Sequence, residues 1–581
     1  MTKKKRLLIF ALLSMVLMVS TLIGCGNETA TDSSSVEEEN QDLNDGIYEG
    51  IGQGYGGELK LEVSVENNEI KDMEIISHRE TSPVFTRTLP IAKQRILEAQ
   101  SPIVDNVSGA TYSSYAIKSA VGEAMKKAGK DFGEIRIDTQ GPEVQSKELE
   151  NETTQLVIVG AGPAGISSAI EAAESGVEDV ILLEKLDILS GNGKFDMLIF
   201  DLINSKVQRE DGLEFTVEDF IKSKEGKVMD SPERIEAWAK GAYELDEWFR
   251  DMGINLNYYY DEKTHMAEED EYAGEHIHDK LEEKIKELDI DVRTGNKGTD
   301  LIIEDGKATG VKVQCKEGTY DIYADAVVIA TGGFSNNKEL LAKYKPGVEN
   351  LMTSNQMGTT GDFIPVFEKY NFKIANMDDM KIFNPAMVKN RELTGARGDG
   401  FLFVNEEGDR FIAENEKDEL KLGLEILRQP NKKVFYIYDQ PLAESFYRLE
   451  KHNKLDYHIK ADTLEELAEK LEINSENLLD TVEMYNKAVA GEIEDSFRDE
   501  PCERPFAAEG PYYGVQIQSA IHMTKGGVVA NEKTQVLDTN NQVIEGLYAA
   551  GEVTATSGIF KEAFIFGRIS GQEAAKYIVD K

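Results

Sequence analysis

Cysteine is scarce in this chain of 581 residues: Cys25, Cys315 and Cys502 are all there are. No CxxC and no CxxCH occurs, so neither a thiolate zinc site nor a c-type haem attachment is supported. Cys315 and Cys502 sit in different regions and read as ordinary thiols, with a pairing between them left open. Basic residues are also in deficit, 64 against 107 acids, for a formal net charge of −43. A polyanion would be repelled, so no nucleic acid partner is expected. His265, His276 and His278 lie in an acidic stretch without a second ligand set, and they read as solvated surface with no metal bound. The Tyr258-Tyr259-Tyr260 run reads as packing. No internal repeat is apparent. What the chain does have is 40% hydrophobic residues, enough at this length for about three domains with real cores.

The N-terminus reads as a targeting segment. Lys3, Lys4, Lys5 and Arg6 precede an apolar run from Leu7 to Ile23, which is short for a membrane span and ends at Gly24-Cys25. This resembles a bacterial lipoprotein signal, which implies residues 1–24 as a signal peptide and Cys25 as the lipid-carrying anchor. The expected location is therefore the extracytoplasmic face of the cell membrane. Residues 25–44 are acidic linker, 45–133 form a compact domain, and 134–152 are a second polar linker.

The stretch Leu156 to Glu184 organises the remainder. An apolar run, Leu156 to Val159, leads into Gly160, Gly162 and Gly165, and a helix is expected from Pro163 to about Ser175. A second apolar run, Val180 to Leu183, ends in Glu184, about twenty residues past the last glycine. This is the dinucleotide fingerprint: glycines admit a pyrophosphate to a helix N-terminus, and the acid accepts hydrogen bonds from ribose hydroxyls. Two further motifs lie downstream, VVIATGGF at Val327 to Phe334 and GLYAAGE at Gly546 to Glu552. FGRISG at Phe566 to Gly571 is expected to open a last helix.

Together these motifs resemble the FAD-binding flavoprotein family of fumarate reductases, succinate dehydrogenase flavoproteins and urocanate reductases. The resemblance implies non-covalent FAD and an α/β fold, a Rossmann-type FAD-binding domain (153–378 and 522–581) with an inserted α+β clamp domain (379–521). It also implies cofactor contacts from Ala164, Lys185, Asn192, Thr331, Gly332, Gly333, Gly551 and Glu552. Several members of that family receive electrons through haems, for which no attachment motif exists here.

Residues 45–133 carry alternating Leu59, Leu61, Val63 and Val65, a turn at Asn67-Asn68, and a strand from Ile70 to Ile76. Helices are expected at about Thr88 to Ala99 and Ser113 to Lys127, with Val107-Ser108-Gly109-Ala110-Thr111 between them. This small α+β region resembles the FMN-binding domain family, whose SGA(S/T) motif takes FMN through a phosphoester bond. The resemblance implies covalent FMN at Thr111, installed by a flavin transferase. Taken alone, Thr111 and Ser113 equally suit helix caps.

For the active site the resemblance implies Arg397, in ARGDGFLFVNEEGDRF, as proton donor, with Arg391 and Glu392 as relay candidates, and His522, in HMTKGG, as a substrate-binding residue. Three departures weigh against fumarate itself. Asn384-Pro385-Ala386 stands where the family has HPT, the arginine of the NRxGG segment is absent, and the GGN(S/T) loop has become Ser190-Gly191-Asn192-Gly193-Lys194. Lys525 and Lys561 are candidates for replacement charge. The expected activity is reduction of the C=C of a small unsaturated carboxylate acting as terminal acceptor, with electrons passing from a membrane-associated donor through FMN to FAD. An electron-transfer module without enoate chemistry, or a reductase of a non-carboxylate alkene, is also compatible with these residues.

Overall fold

The structure, a computed structural model, describes residues 42–137, 145–195, 200–261, 264–267, 273–395, 399–498, 502–556 and 560–580. Cys25 and the apolar run before it lie outside the described residues, as does Arg397. Among the described residues no helix is long and apolar enough to cross a membrane.

The first domain is an antiparallel meander of β1 (Gly46–Gln53), β2 (Glu58–Glu66) and β3 (Glu69–Ser77) under two helices. Every second residue of β2, Leu59, Leu61, Val63 and Val65, is buried, as the period of a one-sided sheet requires. Asn67 and Asn68 both take positive φ, the conformation a tight hairpin needs at its two central residues. Helix α1 (Ser82–Ala99) begins six residues before the expected start, because Pro83 with its fixed φ suits the first turn. Helix α2 (Thr111–Lys127) lays Ala116, Ile117, Ala120, Val121 and Ala124 on the sheet, all at 0% exposure.

In the second domain β4 (Glu152–Val159) runs parallel between Gly318–Ile329 and β5 (Val180–Leu183), so Leu156 to Val159 is covered on both faces and reads as a continuous apolar run. Strand Val543–Ala549 adds parallel to the far side of Gly318–Ile329. Between β4 and β5 lies α3 (Pro163–Glu174), packed against the last helix, Phe560–Val579. That helix starts at Phe560, so FGRISG lies in its interior and not at its opening. A Cβ on Gly567 would stand 2.4 Å from the Ala164 carbonyl oxygen, and one on Gly571 2.3 Å from that of Ser168, so both glycines serve the close crossing with α3.

The inserted segment builds its own sheet on the long strand Tyr512–Thr524, which pairs with Met380–Met387, Val434–Asp439 and Ile459–Ala461, with Phe401–Asn405 beyond. Met352–Thr353 of the FAD-binding part pairs with Ala520–Ile521 of the same strand. The strand therefore runs through the boundary placed at 521/522, and its last residues carry the clamp into the cofactor site.

Two histidines depart from the surface reading. His265 and His278 are fully buried, His265 with Nε2 2.7 Å from the Ser205 hydroxyl. Along the helix Ala273–Glu287, Ile277, His278, Leu281 and Ile285 form the inner face, while Glu275, Asp279 and Glu282 accept from Ser82, Thr86 and Arg87 of the first domain. No group of three or more metal-ligating side chains occurs among the described residues. Tyr258 is 54% exposed and does not pack as expected. Cys315 and Cys502 are both free thiols, buried in separate cores.

Candidate active site

The three fingerprint glycines each meet a different demand. Gly160 has φ +103, and a Cβ there would stand 2.5 Å from the Ala330 carbonyl oxygen, so it forms the turn. A Cβ on Gly165 would fall 1.9 Å from the Gly160 carbonyl oxygen, so it sets the helix against the strand. Gly162 differs: the nearest atom to an added Cβ is the Gly191 Cα at 4.0 Å. Open space thus lies over the N-terminus of α3, where no side-chain cap is present. The Thr331 hydroxyl, buried at the end of the neighbouring strand, has no hydrogen-bond partner. An open cradle at a helix N-terminus and an orphaned hydroxyl beside it fit a dinucleotide pyrophosphate.

Glu184 is buried, and its two oxygens accept from the Ala161 amide (3.1 Å) and the Leu186 amide (2.9 Å). Burial raises its pKa against the effect of those amides. It ties the glycine turn to the end of β5, with lone pairs left for ribose hydroxyls. Lys185 is engaged by Asp362 (2.5 Å) and Thr360 (2.7 Å). Asn192 accepts from the Gln356 amide at 2.8 Å, and Lys194, fully buried beside it, is pushed down to about 7 by desolvation.

At the other end of the cleft, motifs nearly 200 residues apart in sequence converge. Glu552 Oε1 accepts from the Thr524 amide (2.9 Å) and hydroxyl (3.1 Å), and a Cβ on Gly333 would meet both side chains at 2.2–2.3 Å. The ATGG strand end, the HMTKGG turn and the GLYAAGE turn are therefore one junction. Burial pushes Glu552 up to about 7. Ala164 packs under Gly551, whose φ is +77.

His522 lies two residues before Thr524 on the same strand, at a break in its pairing with Met380–Met387: Lys381 pairs with Met523 and Ile382 with Ile521. Its Nδ1 is 3.0 Å from the Ser354 hydroxyl, and the Phe383 ring lies edge-on with centroids 6.0 Å apart. Desolvation, then the charges of Lys381 and Arg448, push His522 down to about 4, so the ring is neutral near pH 7. Arg448 stands 6.0 Å and Lys381 5.8 Å from the centre of the same Phe383 ring, and Arg448 Nε is buried without a hydrogen-bond partner. Sequence reasoning missed both cations. Arg448 comes from a clamp helix, Tyr447–Lys454, that carries no motif.

The two lysines singled out as replacement charge are already neutralised. Lys525 pairs with Asp379 at 3.2 Å, and Lys561 with Asp201 at 2.8 Å. Asn384 gives its amide to the Glu419 carbonyl oxygen and accepts from Ser519. Arg391 donates to the Asn355 carbonyl oxygen at 3.0 Å and hydrogen-bonds Tyr55 of the first domain, so it sits at a domain junction.

The first domain also meets the FAD-binding part at the SGAT turn. Ser108 and Asp187 exchange hydrogen bonds, the Ser108 amide to the carboxylate at 2.6 Å and the Asp187 amide to the hydroxyl at 2.8 Å. Arg95 adds an ion pair to Asp187 at 3.0 Å, and Ile188 is buried in the core of the first domain. The SGAT turn is thus seated on the loop that follows Glu184. Thr111 does not cap α2: the cap position is Ala110, with no side-chain hydrogen bond, and Ser113 is turned toward Glu80. The hydroxyl of Thr111 therefore stands at an uncapped helix N-terminus, which suits a phosphate.

The FAD binding domain family matches residues 155–563, and the FMN-binding domain family matches residues 54–126. Among curated relatives, the NADH:fumarate oxidoreductase of Klebsiella pneumoniae (strain 342) is 28% identical over 550 residues, which cover 91% of this chain. The match spans only 58% of that relative. The urocanate reductase of Eggerthella lenta is 28% identical over 95% of this chain and 96% of its own length. Among solved structures, the open conformation of a flavocytochrome c3 fumarate reductase superposes with a TM-score of 0.68 at 31% identity, over 74% of this chain and 79% of that one. With the fingerprint cradle, the converged glycine turns and the seated SGAT turn, these matches place the chain in the FAD binding domain family of flavoproteins, fused to an FMN-binding domain and homologous to reductases of carbon–carbon double bonds.

Proposed function

We propose that this protein is a flavin-dependent reductase of a small unsaturated carboxylate of the urocanate, fumarate or aryl-acrylate kind, displayed outside the cell on a lipid anchor at Cys25. The observation that carries the reading is the cationic group around His522. Arg448 and Lys381 flank Phe383 and His522, on the strand that continues into the Thr524–Glu552–Gly333 junction. An anion is the ligand that such a group favours, and the Phe383 ring gives the rest of it an apolar face.

FAD held on the Gly160–Gly165 turn would supply the hydride, and FMN at Thr111 the electrons that replenish it. The protein's own part is positioning and charge. Arg448 and Lys381 hold the carboxylate, and neutral His522 donates a hydrogen bond to it. The same cations stabilise the negative charge that builds on the carbon next to the carboxylate during hydride transfer. Arg397 remains the proposed proton donor. With a neutral Asn384 where a second carboxylate clamp would stand, the site suits a monocarboxylate better than fumarate. Turnover with a reduced dye, across a panel of enoates, enones and vinyl arenes, tests this. Reduction of enones alone would transfer the protein to the non-carboxylate reading, and reduction of nothing to the electron-module reading.

FMN is proposed to be covalent at Thr111. Coexpressed with a flavin transferase, the denatured chain is expected to be heavier by one FMN and yellow, and Thr111→Ala to lose that mass while keeping FAD. Flavin persisting on the Ala variant would move the attachment elsewhere.

A further inference from the structure

The clamp holds a line of buried polar groups that substrate binding does not use. His452 Nδ1 lies 3.0 Å from the Thr394 hydroxyl, which lies 3.0 Å from His458 Nε2. His458 Nδ1 in turn lies 2.5 Å from the Tyr438 hydroxyl, which reaches Asn453 at 2.9 Å. At the inner end His452 Nε2 faces Glu392 Oε2 across 3.6 Å. Thr394, Tyr438 and His452 are at most 1% exposed. His458 and Asn453 line a groove on the outer surface, together with Asp456, Glu444 and Lys460.

We propose that Tyr438, His458, Thr394, His452 and Glu392 form a proton relay through the clamp, carrying a solvent proton from the outer groove to the substrate cleft. The proposal rests on the enoate-reductase reading above. Each link both accepts and donates, because imidazoles and hydroxyls do so from separate positions. The three links from Tyr438 to His452 can therefore point every donor inward or every donor outward, while the last, His452 Nε2 to Glu392 Oε2, stands at an ion-pair distance of 3.6 Å and must shorten to a hydrogen bond for a proton to pass. Neutral rings are what such a line needs. Burial, with Arg448 and Lys451 nearby, pushes His452 down to about 3, and burial with His452 beside it pushes His458 well down. A proton is thus not retained on either ring, and the carboxylate of Glu392 is the inner terminus.

The segment that carries this terminus is tied to the His522 strand. Arg391, the preceding residue, bonds the Asn355 carbonyl oxygen, and the Asn355 side chain donates to the His522 carbonyl oxygen at 3.1 Å. Arg448 and His452 are four residues apart on one helix, so a single helical face presents a cation to His522 and an imidazole to Glu392. Saturating a C=C takes one hydride, with its two electrons, and one proton. The relay supplies only the proton. One enters at the Tyr438–His458 end, one leaves the Glu392 carboxyl to replace the proton that Arg397, the proposed donor, gives the product carbon, and the line is restored with no net change in charge. None of the five groups touches substrate; all act through their neighbours.

Thr394→Val removes the central hydroxyl at nearly constant shape. It is expected to lower enoate turnover roughly 10- to 100-fold and to raise the solvent deuterium isotope effect on kcat. Ferricyanide reoxidation of the dye-reduced protein, which delivers no proton to carbon, is the reference. Thr394→Ser is expected to recover most of the rate. His458→Ala opens onto the groove, so added imidazole is expected to restore turnover in proportion to its unprotonated concentration, which keeps the test decisive if Thr394→Val folds poorly. Turnover and isotope effect unchanged in Thr394→Val, or a slow His458→Ala that imidazole does not restore, would overturn the relay alone. A wild-type protein that reduces no enoate would overturn the function and the relay together.

Discussion

Replacing Arg448 by methionine is expected to raise KM for an enoate by roughly 30- to 1000-fold, from about 2–4 kcal/mol for one charged contact in a largely desolvated site. The argument is local. Arg448 Nε is buried with no partner, and its guanidinium stands over the Phe383 ring beside His522. A guanidinium whose Nε is buried and unsatisfied favours a ligand that brings an acceptor. Arg448→Lys is expected to recover only part of the loss, because an ammonium lacks the planar fork that meets both carboxylate oxygens. Both flavins should stay bound and reducible by dye, since Arg448 lies on the clamp side. Steady-state kinetics on the purified variants decides it: a KM within threefold of wild type would remove Arg448 from the substrate site. His522→Ala is expected to be milder. The ring is neutral near pH 7 and supplies a hydrogen bond, not a charge.

The second large effect concerns the cofactor. Gly162→Val is expected to reduce FAD affinity at least a thousandfold, about 4 kcal/mol, while the chain folds and keeps its FMN. Two observations separate this from ordinary destabilisation. Gly162 has φ −83 and ψ −173, a conformation valine adopts without strain. Apart from its chain neighbours, no atom of the described residues lies closer than 4.0 Å to the added Cβ. The new side chain therefore fills only the space over the helix N-terminus, where the pyrophosphate belongs. Gly165→Val serves as contrast: its Cβ would overlap the Gly160 carbonyl at 1.9 Å, so it should cost the fold itself. Denaturing release of FAD, measured alongside the melting temperature, tells the two apart. Full FAD occupancy in Gly162→Val would contradict the cradle.

Much of this was legible in the sequence because the signals are local. Leu156 to Glu184 is strand, turn, helix and strand in unbroken order, and the alternation in β2 and the Asn67-Asn68 turn each need only a few neighbouring residues. What was not legible depends on distant segments meeting. His278 reads as surface because acids surround it in sequence, yet the helix turns His278 into the core, and Glu275, Asp279 and Glu282 meet the first domain, which lies nearly 200 residues earlier in the chain. FGRISG reads as a helix start because glycines end helices more often than they cross them, and the crossing partner, α3, is about 400 residues earlier in the chain. Lys525 and Lys561 looked available until Asp379 and Asp201 were found against them. Arg448 carries no local mark; only its packing over Phe383, from another strand, gives it a role.

The central claim is that the acceptor is a carboxylate held by the His522 cluster, and a single-turnover comparison tests it most directly. Dye-reduced protein, freed of excess dye, is mixed with an enoic acid or with its methyl ester, and flavin reoxidation is followed together with the saturated product. The account predicts reoxidation by the acid with one saturated product per two electrons. With the ester, reoxidation should be slower by roughly two orders of magnitude, and Arg448→Met should abolish the difference. Equal rates for acid and ester in the wild-type protein, or reoxidation without saturated product, would contradict it.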